Sequence, residues 1–339
     1  MVRITSRRQE TRLEVQELTK RFSVGRRGLW DRVTRKRQKY VRAVGGATFV
    51  VGAGETLVIL GESGSGKTTL GRLIVGLEKP DSGKIALSGD AVLPVREHRT
   101  QRGRLQMVFQ DPGSSLDPFM KVMDVIAEPL TRSGISGSAR TEKVDQAVDS
   151  VGLDRSVLDR RASELSGGQK QRVSVARAIV SSPEVIVLDE PTSSIDVSIQ
   201  AQVLNMLVRL QQKNHYAYVL ITHDPNVASF MADSVAVMYL GKIVEQGPAA
   251  RVMLQPKHPY TQALLSSTPR LHERSIPEVI KGEPPSLINL PPGCPYAPRC
   301  PYAIKVCGER EPEDYEVEGA VVSCYMYDED VKRQFGAAP

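Results

Sequence analysis

The stretch "TLVILGESGSGKTTLGRLIVGL", residues 56–77, decides the fold of this 339-residue chain. It opens with a threonine and four apolar residues (56–60), a pattern typical of a short strand that is buried on both faces. Residues 61–69 then fit the spacing G-x-x-x-x-G-K-[ST], and a helix is predicted from residue 66 onward. A buried strand, a glycine-rich turn and a helix in this order predict a loop that binds the phosphates of a nucleotide.

The chemistry of such a loop follows from its residue types. Glycines let the backbone wrap closely around phosphate oxygens, and the N–H groups together with the helix N-terminus supply positive potential. Lys67 is expected to reach the β- and γ-phosphates, and the Thr68 hydroxyl is expected to bind Mg²⁺. The residues predicted to surround the nucleotide phosphates are Gly61, Glu62, Ser63, Gly64, Ser65, Gly66, Lys67, Thr68 and Thr69. The alternative, a glycine-rich turn with an incidental lysine, is disfavoured by the flanking strand and helix.

A second motif, "VIVLDEPTS" (185–193), ends another predicted buried strand in two acids. Asp189 at the strand tip is expected to hold Mg²⁺ through water, and Glu190 is expected to polarise the attacking water. A hydrophobic run followed by Asp-Glu is weak evidence alone, but here it follows a phosphate loop and stands on a separate strand. The two motifs together predict that the chain binds and hydrolyses a nucleoside triphosphate.

The remaining pattern divides the chain near residue 256. Up to that point predicted strands alternate with predicted helices, which favours an α/β domain built on a mostly parallel sheet. Residues 12–22 alternate apolar and polar side chains like an exposed strand, and residues 234–247 are typical of a hairpin. Beyond the division the composition changes, with seven prolines between residues 282 and 302. We therefore predict a second, irregular module there.

Composition limits the classes of function. The chain has no run of eighteen apolar residues, and residues 1–15 lack the apolar segment of a secretory signal, so we expect a cytosolic location. The net charge is +6, and residues 26–42 hold eight basic side chains against one acid, Asp31. This basic run is either a solvated loop, which is the commoner case, or a surface that attracts an anionic partner. No nucleic-acid motif accompanies it, so no nucleic-acid partner is expected.

The segment "LSGGQKQRVSVARAI" (165–179) resembles the signature sequence of the ATP-binding cassette (ABC) family and is far more specific than a phosphate loop. Such a segment can form a second anion site, in which a serine, the backbone of the glycines and a helix N-terminus donate hydrogen bonds. The resemblance implies that this surface faces the γ-phosphate of ATP on a partner subunit, so that two cassettes close head to tail around two nucleotides. The residues implied in that contact are Ser166, Gly167, Gly168, Gln169 and, in the D-loop, Asp196.

The same resemblance supplies the remaining catalytic positions. Gln110 in "MVFQDP" matches the Q-loop glutamine, which senses Mg²⁺, and His223 in "ITHD" matches the switch histidine, which contacts the γ-phosphate and positions the water. Taken alone, each of these two residues could be an ordinary polar residue at the end of a strand. Their joint occurrence in the order of the family favours the catalytic interpretation. The implied catalytic set is Lys67, Gln110, Glu190 and His223, and the implied Mg²⁺ site is Thr68, Gln110 and Asp189.

An aromatic ring that stacks on adenine is also implied. Phe22 lies where the family usually has Tyr or Phe at the end of the first strand, and Tyr40 is the competitor, because the basic run between them could fold either ring toward the base. We prefer Phe22 for its position at the strand.

In fold, the resemblance implies an α/β ABC nucleotide-binding domain over residues 1–256. It would consist of a mostly parallel core sheet, an antiparallel β subdomain and a helical insert at about 111–164, with the signature at 165–169. Residues 257–339 would form an irregular, proline- and cysteine-rich extension.

The branch of the family is indicated by the tail. Without membrane-spanning segments the chain resembles an importer subunit, and residues 257–269 and 282–303 resemble the tail of dipeptide and oligopeptide importer ATPases, with features of the F-type subunit. This resemblance implies a D-type sister ATPase as partner in a heterodimer, two membrane permease subunits, an extracytoplasmic substrate-binding protein, and a peripheral position on the cytoplasmic face of the inner membrane. Nickel importers of the same subfamily remain an alternative. So do cassettes of soluble assemblies such as carbon–phosphorus lyase, although these lack the cysteine tail.

All four cysteines lie in this tail, as Cys294, Cys300, Cys307 and Cys324, with the spacing C-x5-C-x6-C-x16-C. Four cytosolic thiols can bind one zinc ion or one iron–sulfur cluster, or stay unligated. The spacing matches neither zinc-ribbon pairs nor the common ferredoxin patterns, so chemistry alone leaves the metal open. The resemblance implies a [4Fe–4S] cluster. Such a cluster would cross-link and order a segment that has too few apolar residues to fold without it.

Overall fold

The computed structural model describes residues 10–24, 39–91, 103–193, 195–267 and 290–335, together with residues 282, 285, 286 and 288. Within these residues the strands form one four-stranded and one eight-stranded sheet. In chain order the strands are β1 (Thr11–Val24), β2 (Lys39–Gly52), β3 (Thr56–Leu60), β4 (Ser82–Leu87), β5 (Asp90–Ala91), β6 (Leu105–Val108), β7 (Val185–Asp189), β8 (Ala217–Thr222), β9 (Ser234–Tyr239), β10 (Lys242–Pro248), β11 (Tyr315–Val317) and β12 (Ala320–Val322).

The helices connect and cover these sheets. They are α1 (Lys67–Ile74), α2 (Pro112–Ser115), α3 (Val122–Arg132), α4 (Gly137–Ser150), α5 (Gly167–Ile179), α6 (Val197–Asn214), α7 (Pro225–Met231), α8 (Ala249–Leu254), α9 (Pro259–Ser266), α10 (Lys305–Glu309) and α11 (Glu329–Phe335). None of the described helices is long and apolar enough to cross a membrane.

The eight-stranded sheet positions the candidate site. Its order is β11-β12-β10-β9-β3-β8-β7-β6, and the strands from β9 to β6 run parallel. Every residue of β3, β7 and β8 is buried, as their continuous apolar sequences predict for strands with both faces covered. Parallel strands end at the same edge, so the segments after β3, β6, β7 and β8 all emerge there. Those segments contain the phosphate loop and the residues predicted to be catalytic.

The four-stranded sheet confirms the predicted antiparallel β subdomain. Its order is β2-β1-β4-β5, with every pair antiparallel. The alternating residues Leu13 and Val15 of β1 are fully buried, while the neighbouring Glu14 and Gln16 are not. The period-2 pattern of residues 12–22 thus has its apolar side against the core.

The segment between β6 and α5 is helical, as its sequence predicts. It holds α2, α3, α4 and two single-turn 3₁₀ helices, Arg155–Asp159 and Ala162–Glu164. Apolar residues of α3 and α4, such as Ile126 and Val148, are fully buried in the same core cluster as the parallel strands. This insert carries the chain from the end of β6 to the signature segment at the start of α5.

The tail is more regular than its composition predicts. β12 pairs antiparallel with β10, and β11 pairs with β12, so part of the tail continues the core sheet. Residues 313–335, which contain these strands, have no proline, and Val322 of β12 is fully buried. The prolines that suggested irregular structure lie earlier in the tail and leave these residues free to donate to the ladder.

Candidate nucleotide site

The phosphate loop begins where β3 ends and closes at the first residue of α1. Gly66 has a φ of 102°, and a Cβ there would lie 2.0 Å from the backbone oxygen of Ala43. Gly61 is equally confined, since its Cβ would lie 2.2 Å from the backbone oxygen of Met238. The glycines of the motif therefore let the loop pass close to neighbouring backbone, which gives the loop its curvature.

Lys67 is buried at the centre of this loop. Its Nζ donates to the carbonyl oxygens of Gly61 and Glu62, both at 2.8 Å. Burial lowers the pKa of Lys67, while the charges of Glu190, Asp189 and Glu62 act in the opposite direction. The ammonium is thus surrounded by carbonyls and carboxylates at the position where the sequence predicts a nucleotide phosphate.

Thr68 and Asp189 form a pair of oxygen ligands at the strand edge. The Thr68 hydroxyl donates to Oδ1 of Asp189 at 3.1 Å. Asp189 is 2 % exposed, and burial raises the pKa of its carboxyl despite this hydrogen bond. A hydroxyl and a carboxylate side by side are the oxygen donors that Mg²⁺ prefers, so these two predicted ligands fit the ion.

Glu190 lies between two of the other predicted catalytic residues. Nε2 of Gln110 donates to Oε2 of Glu190 at 2.8 Å, and Nδ1 of His223 lies 3.1 Å from Oε1. The backbone of Glu190 has a φ of 45°, and its N–H donates to the carbonyl of Ile221 on β8. A left-handed backbone at a non-glycine residue is costly and is typical of functional sites. The structure therefore brings together Gln110, Glu190 and His223, which are distant in sequence.

The signature residues form the start of α5. Oγ of Ser166 accepts from the backbone N–H of Gln169 at 3.3 Å, and Oε1 of Gln169 accepts from the N–H of Ser166 at 3.0 Å. This reciprocal capping box fixes the helix N-terminus that the sequence predicts as an anion site. A Cβ on Gly168 would lie 2.9 Å from Ile199 of α6, so the glycine allows these helices to approach. Asp196, preceding α6, accepts backbone hydrogen bonds from Ile199 and Gln200.

The two aromatic candidates lie on neighbouring strands at the end of the β1–β2 hairpin. Phe22 pairs with Val41, and Ser23 pairs with Tyr40. Because successive residues of a strand point to opposite faces, the rings of Phe22 and Tyr40 lie on opposite faces of the hairpin. Both are partly exposed, at 37 % and 52 %. The two rings are therefore alternatives, and they do not form a joint clamp. The greater part of the basic run lies outside the described residues.

The four cysteines gather in the tail as free thiols. The N–H of Cys294 donates to the carbonyl of Cys307 at 2.7 Å, and a Cβ on Gly293 would lie 2.1 Å from that same oxygen. Burial raises the pKa of Cys300 to about 11 and that of Cys324 to about 12. The other three cysteines add to the raised pKa of Cys324, although burial is its main cause. Even so, within the described ranges no three His, Cys, Asp or Glu side chains are close enough to hold a single metal ion.

Two tail residues at the phosphate loop were not predicted. The hydroxyl of Tyr260 accepts from the N–H of Glu62 at 3.0 Å, and Nη1 of Arg299 lies 3.1 Å from Oε2 of Glu62. Neither residue belongs to a phosphate-binding motif. The only sequence signal was the position of Arg299 directly before Cys300, and it carries no information about the loop.

Comparison with known proteins agrees with this geometry. A family model described as "ABC transporter" matches residues 44–193, and a model described as "Oligopeptide/dipeptide transporter, C-terminal region" matches residues 244–307. A curated relative, the di/tripeptide transport ATP-binding protein DppF of Pseudomonas aeruginosa, is 43% identical to this chain; the match covers 93% of this chain and 98% of the relative.

Solved structures give the same fold. cbiO1 of Clostridium perfringens, described as part of the ABC transporter complex cbiONQ, has a TM-score of 0.61 and 27% identity, covering 73% of this chain and 92% of the other. The ATP-binding cassette MJ0796, solved as a dimer in a post-hydrolysis state with ADP and Pi, has a TM-score of 0.60 and 26% identity, covering 70% and 98%. The chain therefore belongs to the ABC transporter family and is an ATPase of its oligopeptide/dipeptide transporter group.

Proposed function

We propose that this chain is the ATP-hydrolysing subunit of an importer that carries dipeptides or oligopeptides through separate membrane permeases. The observation that carries the proposal is the position of Glu190, held between Gln110 and His223 next to the Thr68–Asp189 pair. The match of the tail to the oligopeptide/dipeptide transporter region, and the di/tripeptide transport of the relative, support the choice of substrate class.

In the proposed mechanism, ATP phosphates lie against the backbone N–H groups of residues 61–69, and Lys67 exchanges loop carbonyls for phosphate oxygens. Thr68 and Asp189, with Gln110 nearby, would hold Mg²⁺, whose chemistry is to offset charge on the phosphate oxygens. Glu190 polarises the attacking water, and His223 contacts the γ-phosphate. One of the rings of Phe22 and Tyr40 stacks on adenine, and we prefer Phe22.

The second half of the site comes from another cassette. Ser166, Gly167, Gly168, Gln169 and Asp196 would contact the nucleotide bound to the partner's loop. The capped N-terminus of α5 supports this role, because it presents free N–H groups to an anion. The dimeric structure of the similar cassette with ADP and Pi supports pairing, and we propose a D-type sister ATPase as the partner.

The assembly we propose contains two ATPase subunits, two permeases and an extracytoplasmic substrate-binding protein, with this chain peripheral on the cytoplasmic face of the inner membrane. We assign residues 1–256 to the ATPase domain, including an insert at about 111–164 and the signature at 165–169, and residues 257–339 to the extension. Two separate family regions match the chain, at residues 44–193 and 244–307, which supports a division into an ATPase part and a tail part.

The tail, in this proposal, binds a [4Fe–4S] cluster through Cys294, Cys300, Cys307 and Cys324. The free state of all four thiols and the backbone hydrogen bond from Cys294 to Cys307 support this set. A four-iron cluster is larger than one ion, so its ligands need not meet at the spacing that a single ion requires. The cluster would link four points of an irregular segment and thereby order it.

The importer is tested by reconstituting the chain with its membrane subunits in liposomes and measuring peptide uptake. Uptake should require ATP and should be lost with Glu190→Gln, which should lower ATP hydrolysis by about 10²- to 10⁴-fold. Uptake by Glu190→Gln equal to wild type would overturn the mechanism. Co-purification with soluble enzymes instead of permeases, or uptake of nickel but not peptide, would overturn the substrate class.

The cluster is tested separately by anaerobic purification with iron, sulfide and zinc analysis. The expected result is a coloured protein with about four irons and four sulfides per chain. Replacing Cys300 by Ser should remove them. One zinc per chain, or no metal, would overturn the cluster and leave the ATPase assignment intact.

A further inference from the structure

Arg299 connects the cysteine segment, residues 293–311, to the phosphate loop. It ends the single-turn 3₁₀ helix Ala297–Arg299, which lies between Cys294 and Cys300. Its side chain is only 6 % exposed, although it is charged. Nη1 lies 3.1 Å from Oε2 of Glu62 and 3.2 Å from the hydroxyl of Tyr239. A nearly buried arginine is held in this way only where its partners are fixed.

The loop residue Glu62 is held at two points. Its carboxylate pairs with Arg299, and its backbone N–H donates to the hydroxyl of Tyr260. Tyr260 is fully buried and packs against Tyr239, with ring centroids 4.4 Å apart, and against Tyr296, at 5.4 Å. The tyrosines thus form a rigid support between the cysteine segment and the second residue of the phosphate loop.

The negative charge of Glu62 acts on the position predicted for the nucleotide phosphates. The carbonyl of the same residue accepts from Nζ of Lys67 at 2.8 Å, and its carboxylate is among the charges that act on this lysine. ATP brings several negative charges to this loop. An unpaired carboxylate beside them would oppose binding, and the guanidinium of Arg299 offsets it.

We propose that Arg299 is a positioning residue for ATP binding: it neutralises and orients Glu62, so that the cysteine segment sets the ATP affinity of the phosphate loop. The proposal rests on ATP binding at this loop, as in the proposed function, and goes beyond it by giving the tail a role in that step. It does not depend on which metal the tail binds.

The test is a titration of full-length protein with a fluorescent ATP analogue, together with kcat and KM for ATP hydrolysis. Arg299→Ala should weaken ATP binding about tenfold and raise KM, with kcat changed less than about twofold, because Arg299 touches neither ATP nor the attacking water. Arg299→Lys keeps the charge and should recover most of the affinity. The loss in Arg299→Ala should shrink at high salt, since Glu62 is partly exposed.

The double variant separates electrostatics from folding. Removing both charges in Glu62→Gln/Arg299→Ala should restore the affinity lost in Arg299→Ala. Glu62→Gln alone removes the negative charge and keeps the positive charge of Arg299 near the phosphates, so it should tighten binding about threefold, a result that does not require Arg299→Ala to fold. If the double variant binds ATP as weakly as Arg299→Ala, or if Arg299→Ala equals wild type, the proposal is wrong.

A matched control is the ion pair of Arg251 and Glu318, which joins α8 to the turn between β11 and β12. Arg251→Ala removes an arginine–glutamate pair of the same tail without touching the loop and should leave ATP affinity unchanged. A wild-type chain that fails to bind the analogue would contradict the proposed function itself, whereas binding that is insensitive to Arg299 contradicts only this inference.

Discussion

The catalytic edge of the sheet and the cysteine segment are built in opposite ways. The edge gathers Gln110, Glu190 and His223 from the ends of separate parallel strands, whose backbone registers fix where each side chain emerges. The cysteine segment has no such frame: a backbone hydrogen bond between Cys294 and Cys307 closes it. The core sheet fixes the geometry of the catalytic edge. The cysteine segment depends on local contacts and, in the proposed function, on the cluster that its thiols bind.

The cysteine segment is nevertheless tied to the core by charged side chains. Arg42 of β2 pairs with Glu311 at 2.5 Å, and Lys242 of β10 lies 3.5 Å from the same carboxylate. Pairs of this kind are individually weak when partly exposed. We therefore expect a change in one region to act mainly on that region, with nucleotide binding as the measure of the phosphate loop and retention of the proposed cluster as the measure of the cysteine segment.

The largest effect is expected for Gly66→Ala in the phosphate loop. The new Cβ would lie 2.0 Å from the backbone oxygen of Ala43, at a φ of 102° that alanine rarely adopts. The loop must shift, and a displacement of about 1 Å at a binding site costs about 100-fold. ATP affinity, measured by titration, should fall by about this factor while iron per chain stays at the wild-type value. Loss of iron in this variant would contradict the expectation that damage to the loop leaves the cluster proposed for the tail in place.

Gly293→Ala is the matched change in the cysteine segment. Its Cβ would lie 2.1 Å from the carbonyl oxygen of Cys307, the acceptor that closes the segment. Disturbing the support of metal ligands costs about 10- to 100-fold in metal affinity. The iron of the proposed cluster should therefore be lost to a chelator faster than from wild type, while ATP affinity falls no more than it does with Arg299→Ala. Unchanged iron retention would show that closure of the segment does not hold the cluster.

This contrast also explains what could be predicted from the sequence. Local patterns of contiguous residues predict the β3 strand, the phosphate loop and the acidic tip of β7. Their common position then follows from the rule that parallel strands end at one edge of the sheet. The contacts of Arg299 and Tyr260 with Glu62 join residues about 200 positions apart by side chains alone, and no local pattern encodes such a contact. The strands β11 and β12 were missed for a related reason: the prolines between residues 282 and 302 suggested irregular structure for the whole tail, although proline is absent from residues 313–335.

A third prediction concerns pH and the junction between the regions. Nδ1 of the fully buried His258 accepts from the N–H of Tyr260, capping α9, and the backbone N–H of His258 donates to Oε2 of Glu245. Burial, aided by Lys242, lowers the pKa of His258 to about 3 from 6.5. Between these two pKa values the histidine is protonated in the unfolded chain and neutral in the folded chain. The free energy of unfolding therefore falls as pH falls, by about 2 kcal/mol at about pH 5.

The matched variant is His258→Asn, which keeps a side-chain acceptor at the helix cap but does not titrate. Burial raises the pKa of Glu245, which acts with the opposite sign, so the comparison between variant and wild type isolates the histidine. Urea unfolding from about pH 7 to about pH 5 should give a steeper loss for wild type than for His258→Asn. Parallel curves for the two proteins would rule out His258 as the source of acid sensitivity.

The smallest effect, and the finest test of the link between the regions, is Tyr260→Phe. The change keeps the ring packing with Tyr239 but leaves the N–H of Glu62 without its acceptor, at a cost of about 1 kcal/mol. Tyr218→Phe is the control, because the buried hydroxyl of Tyr218 donates to the carbonyl of Leu207, away from the loop. Both variants should lose similar stability in urea unfolding, but only Tyr260→Phe should also weaken ATP binding, by about twofold to fivefold. Equal ATP affinities would mean that the aromatic support stabilises the tail without acting on the phosphate loop, and the effect of the tail on ATP binding would then rest on Arg299.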